Sequence, residues 1–94
     1  MHRLEWKQQA NSDLIKIVVH IAEDNPVAAD QLADLIFGKA EQLRERPELY
    51  RVGRKRGTRE MVVHPHYIVI YSVKEETIEI LRVKHTAQRW PISG

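Results

Sequence analysis

The chain has 94 residues, 43% of them apolar and 30% charged, which fits one globular domain over 1–94 with one modest core rather than a disordered tail. No apolar run nears the roughly 20 residues that cross a bilayer, the start MHRLEWKQQA is no secretory signal, and the absence of cysteine excludes disulfides and thiolate metal sites, so a cytoplasmic protein away from the membrane is expected. The net charge of +2 is unevenly placed: residues 1–43 carry −3, residues 44–59 carry +5, and residues 60–94 balance, which leaves a basic block suited to phosphates or an acidic protein segment.

Arg3 to Trp6 is short and can open the fold as a strand. Ser12 is positioned to cap a helix, and Leu14, Ile17, Val18 and Ile21 then share one helical face. Asp24-Asn25-Pro26 stops that helix and starts a second, with Asn25 as the cap and Pro26 in the first turn, where its missing N–H costs nothing. Leu32, Leu35, Ile36, Ala40 and Leu43 form the second stripe, which ends near Arg46-Pro47 because the residue before proline is pushed out of the helical region.

Residues 47–58, PELYRVGRKRGT, read as a basic loop with a short strand possible at Leu49 to Val52. From Arg59 the period changes to two. Arg59 to Val63 is a strand that Pro65 breaks. Tyr67 to Val73 is apolar on both faces, as a central strand covered on both sides would be. After Lys74-Glu75-Glu76, residues Thr77 to Lys84 return as a third strand, with Ile78 and Ile80 on one face and Leu81 and Val83 on the other. The predicted order β-α-α-β-β-β gives an α+β domain, a helical hairpin packed on one face of a mostly antiparallel sheet. The opposite sheet face and the basic loop are left for function.

Three chemistries compete for these residues. His64, His66 and His85 have the ligand type for zinc, but Pro65 separates the first two and no nearby Asp completes the set, so no metal is expected. Metal-free RNA cleavage needs a base, an acid and cations around the developing phosphorane. His85, His64 and His66 can supply the first two, and Arg54, Lys55, Arg56 and Arg59 the third. Nucleic-acid binding without catalysis can use Tyr67 and Tyr71, although that pair reads better as core with hydroxyls at its rim. Ser12 and Ser72 have no context that activates a nucleophile, and no glycine-rich phosphate loop is present.

The order Gly57, Arg59, His64-Pro65, Tyr67, Tyr71, Glu79-Ile80, Val83 and His85 resembles the ParE branch of the RelE/ParE toxins. Trp6, Asp13-Leu14 and the segment Glu45-Arg46-Pro47-Glu48-Leu49-Tyr50 are similar to the same branch, so the likeness spans almost the whole chain. It implies the toxin of a bacterial or plasmid toxin–antitoxin pair, serving plasmid maintenance, and a hetero-oligomer with a cognate antitoxin. RelE-type members cut mRNA in the ribosomal A site, whereas ParE-type members poison DNA gyrase. The RelE type implies a basic residue at the start of the central strand, and Tyr67-Ile68-Val69-Ile70-Tyr71 has none. His85, Arg89 and Trp90 keep the ribosome-dependent endoribonuclease open as the alternative.

The resulting expectation is a gyrase inhibitor without a cofactor. It binds its target through Arg54, Lys55, Arg56, Arg59, Arg89 and Trp90. An acidic, partly disordered antitoxin segment folds onto the open sheet face and the basic groove. His64 and His66 are expected to be structural or surface residues of a turn.

Overall fold

The computed structural model describes residues 1–87. Strand β1 (Arg3–Trp6) leads into helix α1 (Gln8–Asp24), then α2 (Pro26–Gln42), and on to β2 (Arg51–Val52), β3 (Arg59–His64), β4 (Tyr67–Lys74) and β5 (Thr77–His85). The sheet order is β1-β5-β4-β3-β2. β1 runs parallel to β5, with Arg3 opposite Thr77 and Trp6 opposite Ile80. The other pairings are antiparallel. This is the expected two-layer α+β arrangement with β4 at its centre.

Helix α1 begins a turn before the Ser12 cap that the sequence suggests. Its cap position is Lys7, which has no side-chain cap. Instead the Lys7 N–H bonds the Ile80 carbonyl at 2.9 Å, so the end of the β1 pairing sets where the helix starts. Asn25 does cap α2, its side chain accepting from the Ala28 N–H at 3.1 Å, with Pro26 in the first turn. α2 ends at Gln42 rather than near Arg46-Pro47. Beyond it the chain tightens into three-residue bonds, Leu43 to Ala40, Arg44 to Glu41 and Glu45 to Gln42, a helical path with poorer hydrogen bonds.

The core lies between the hairpin and one sheet face. Leu14, Leu32, Ile36, Ala40 and Leu43 meet Met61, Val63, Val69, Tyr71, Ile78, Ile80 and Val83, while Ile17, Val18, Ile21 and Tyr67 pack partly buried at its edge. Leu35, expected in the stripe, is 39% exposed. On β5 the two-residue alternation breaks. Tyr71 faces Ile80 but Ile70 faces Arg82, so Leu81 is an extra residue, a bulge. Val83 thereby joins Ile78 and Ile80 on the core side, where strict alternation put it with Leu81 on the other.

The far face of the sheet differs from the open surface expected. Ile68 and Ile70 alternate with Val69 and Tyr71 and so point away from the helices, yet they are only 2% and 0% exposed. Glu60, Ser72 and Lys84 are buried as well, and only Val62, 48% exposed, meets solvent freely on that side of β3. The apolar pattern of β4 calls for cover on both faces and receives it. No helix among the described residues is long and apolar enough to cross a membrane.

Tyr71 ties the loop after α2 to the core. Its buried hydroxyl donates to the Pro47 carbonyl at 2.6 Å, and burial pushes the phenol from 10.0 up to about 12. Tyr71→Phe leaves the buried Pro47 carbonyl unpaired and should cost about 1–3 kcal/mol in chemical denaturation at neutral pH. Because the folded phenol binds its proton more tightly than the unfolded one, this contribution is whole below pH 10.0 and is lost as the pH rises through about 12. The wild-type midpoint should therefore fall over that interval, and the Phe variant should lack that part of the fall.

Candidate functional site

The basic loop before β3 is wound tightly. The Gly53 N–H bonds the Thr58 carbonyl at 2.7 Å and the Thr58 hydroxyl donates to the Lys55 carbonyl at 2.6 Å. A Cβ at residue 53 would collide with the Thr58 hydroxyl, and Gly57 turns the chain with a φ of 81°. Glycine alone meets both demands cheaply.

Under the loop lies Glu60, opposite Ile70 on β4 and 2% exposed. One carboxylate oxygen accepts from Arg51 Nη2 at 2.9 Å, and the other accepts from the Arg54 backbone N–H at 3.0 Å with Arg54 Nε at 3.5 Å. Burial pushes the Glu60 pKa up. The Arg54 N–H and the charges of Arg54 and Arg51 more than offset it, so the carboxyl sits below its ordinary 4.5. Arg59, part of the predicted docking cluster, is turned onto the backbone. Its Nη1 donates to the Tyr50 carbonyl at 2.8 Å and the Glu48 carbonyl at 3.4 Å. Lys55 and Arg56 are exposed at the loop tip. Within the block Arg51, Arg54 and Arg59 bond Glu60 or the backbone, yet the Arg51 and Arg54 side chains stay 57% and 52% exposed. Arg51 and Glu60 were not singled out from sequence. The one available signal was an acidic residue beside Met61 in a strand that otherwise reads as core.

The histidines gather at the opposite end of β3, roughly 17 Å along the strand from Arg59. The His66 and His85 rings stack at 5.5 Å, and the His64 and Tyr67 centroids are 5.8 Å apart. Tyr67 meets His85 edge-on at 5.3 Å. His64 Nδ1 accepts the His66 N–H at 3.1 Å and His85 Nδ1 accepts the Ala87 N–H at 3.0 Å. His64 and His85 therefore each spend one ring nitrogen on the backbone two residues on, and His66 stands between them with its ring centroid 5.5 Å from each. Among the described residues no group of three or more His, Cys, Asp or Glu could hold a metal ion.

Beside them a cleft of about 400 Å³ is lined by Lys16, Ile17, His20, Tyr67 and His85. Of the other cations near this end, Arg82 bonds both oxygens of Asp13, at 2.8 and 3.0 Å. Lys84 is buried, and burial first and the Arg82 charge second hold its pKa below the usual lysine value. Arg59 and His85, both nuclease candidates, are not brought together. Arg89 and Trp90 lie outside the described residues.

Residues 4–90 match a family model described as the ParE toxin of the type II toxin–antitoxin system parDE. The chain is 36% identical to the toxin Y4kP of Sinorhizobium fredii over 90 residues, 95% of this chain and 93% of that protein. It is 33% identical to the toxin RelE2 of Caulobacter vibrioides over 88 residues, 94% of this chain and 99% of that protein. Among solved structures it superposes on the chromosomal ParDE system of P. aeruginosa with a TM-score of 0.80 at 22% identity, over 90% of this chain and 96% of that one. A toxin–antitoxin complex, RelBE2 from Mycobacterium tuberculosis, follows the same fold with a TM-score of 0.60 at 24% identity, covering 93% of each chain.

The Glu60 geometry carries a pH dependence. A carboxyl whose folded pKa lies below 4.5 adds stability that is complete above that value and is lost as the pH falls through the lowered one. Glu60→Gln should lower stability by about 1–3 kcal/mol at neutral pH and remove that share of the acid sensitivity. Urea unfolding of both proteins from neutral to acid pH measures it, and parallel curves would show that the ion pairs contribute nothing.

Proposed function

The chain belongs to the ParE toxin family of type II toxin–antitoxin systems, and on that basis we propose that it arrests growth in the cytoplasm by poisoning DNA gyrase until its cognate antitoxin neutralises it. The disposition of the cations carries this reading. Arg54 is committed to Glu60, Arg59 to the Tyr50 and Glu48 carbonyls, and Arg82 to Asp13. β4 offers no Arg or Lys before Lys74 at its end. A phosphorane over the sheet would lack the focused positive charge that cleavage requires. Docking on a macromolecular surface asks less, an outward charge on a rigid support, and the loop tip with Lys55 and Arg56 supplies it. Arg54 and Arg59 then serve binding by holding that loop in shape, and Arg89 and Trp90, outside the described residues, are proposed as further target-binding residues.

A second reading, a ribosome-dependent mRNA endoribonuclease without a metal, is favoured by one observation. His85 lines a cleft with His20, Tyr67 and Lys16, so an acid–base group and a cation stand together there. The candidates in that case are His85 with His64 and His66 nearby, and Arg59 falls away by its distance.

Induction without antitoxin distinguishes the two. The gyrase reading expects a DNA-damage response and unsegregated DNA. It also expects gradual, roughly additive losses of toxicity for Lys55→Ala and Arg56→Ala, with a mild effect of His85→Ala. Loss of an acid or base costs about 10²–10⁴-fold in rate. Transcripts cut inside codons, with toxicity abolished in a folded, antitoxin-binding His85→Ala protein, would overturn the gyrase reading.

A further inference from the structure

The cleft beside the histidines forms where α1 meets one end of the sheet. Lys16, Ile17 and His20 come from the helix, and Tyr67 and His85 from the sheet, around a space of about 400 Å³. Lys16 and His20 stand four residues apart on α1, so their side chains share one face. Tyr67 opens β4 opposite His85, the last residue of β5. Their rings meet edge-on at 5.3 Å, and His85 Nδ1 accepts the Ala87 N–H at 3.0 Å. The sheet side of the cleft is thus fixed before anything enters, which lowers the ordering cost of binding.

Charge selects the ligand. No carboxylate lines the cleft. Asp13, one turn before Lys16 on α1, has both oxygens on Arg82. Among the described residues Lys16 and His20 form no hydrogen bond or ion pair, with Glu23 and Asp24 further along α1 or with any other group. On the other face of the sheet Lys84, the residue before His85, is 5% exposed and likewise has no ion-pair partner among the described residues. The positive field at this end of the sheet therefore has little internal counter-charge. Ile17 and the Tyr67 ring supply the apolar part of the lining.

We propose that this cleft binds a phosphate monoester. Its dianion is held by the Lys16 ammonium and the His20 imidazole from the helix and by the Tyr67 hydroxyl from the sheet, and its organic group rests on Ile17 and the Tyr67 ring. The site needs no bond cleavage and is independent of the toxin's target. A tetrahedral phosphate offers oxygens to donors on both elements at once, whereas a carboxylate offers two oxygens in one plane. A phosphodiester carries a single charge and continues on both sides. Inorganic phosphate brings the charge without the organic group. A bound monoester ties α1 to the start of β4 and the end of β5, and it stabilises the folded chain by mass action.

Titration of the purified chain with phenyl phosphate at neutral pH and constant ionic strength tests this, read from the histidine ring signals by NMR. The His20 and His85 signals should move along one saturating curve while His2, near the other end of β5, stays in place, and the melting temperature should rise with the ligand. Inorganic phosphate should bind at least about threefold more weakly, because it buries no apolar surface. Lys16→Gln should weaken phenyl phosphate about tenfold, the effect of losing a hydrogen bond from a charged group. Lys16→Met replaces it if thermal melting without ligand shows that variant misfolded. Shifts that rise linearly, as with chloride, or that persist unchanged in the Lys16 variant would overturn the site. A dinucleotide that binds through its phosphodiester more tightly than phenyl phosphate, or inorganic phosphate that binds equally well, would overturn the monoester as its ligand.

Discussion

A carboxylate withdrawn from water fixes the shape of the basic loop. Glu60 faces Ile70 of β4, whose apolar side chains are covered on both sides of the sheet. An uncompensated charge in that place would cost several kcal/mol. Arg51, Arg54 and the Arg54 N–H offset it together, and the chain between residues 51 and 60 has to bend until they can. Gly53 and Gly57 make that bend possible. The cation-rich run is therefore a neutralising clamp as well as a charged surface, with Arg51, Arg54, Lys55 and Arg56 all exposed along it.

The same economy governs the other side of the sheet. β1 pairs only Thr77 to Ile80 of β5, so β5 runs on past its neighbour as an edge. The Val83 N–H on that edge donates to Asp13 of α1 at 3.0 Å, and Arg82 bonds the same carboxylate. Asp13 thus does for β5 what a further strand would do, and it closes an edge that would otherwise invite pairing with another chain. It also ties α1 to β5.

These pairings bear on function because they remove cations from circulation. Arg54 and Arg59, two of the four cations that the sequence offers for phosphate binding, are bonded within the chain. The histidines collect at the far end of β3, where an imidazole has one lysine for company in its cleft. The basic loop and the histidine cleft therefore stand about a strand's length apart, and within the cleft His20 and His85 have Lys16 beside them.

Much of the fold was legible from neighbours in the chain. The Asn25-Pro26 helix start, both apolar stripes, the change to a two-residue period at Arg59 and the double-sided pattern of β4 depend on local propensity and spacing, and the family likeness rode on residues in that order. What failed depended on contacts remote in sequence. Ser12 lost the cap to the β1 pairing at Ile80, and the Leu81 bulge moved Val83 into the core. The far sheet face, read as open, is covered across Ile68 and Ile70. For the candidate site, the sequence by itself supplied the basic block and the histidines. Tertiary structure alone decided that Arg54 and Arg59 are bonded within the chain and that His85 stands a strand's length from them. The reason is physical: a side chain's charge is a property of its residue, but the group that neutralises it is whatever the sheet brings alongside.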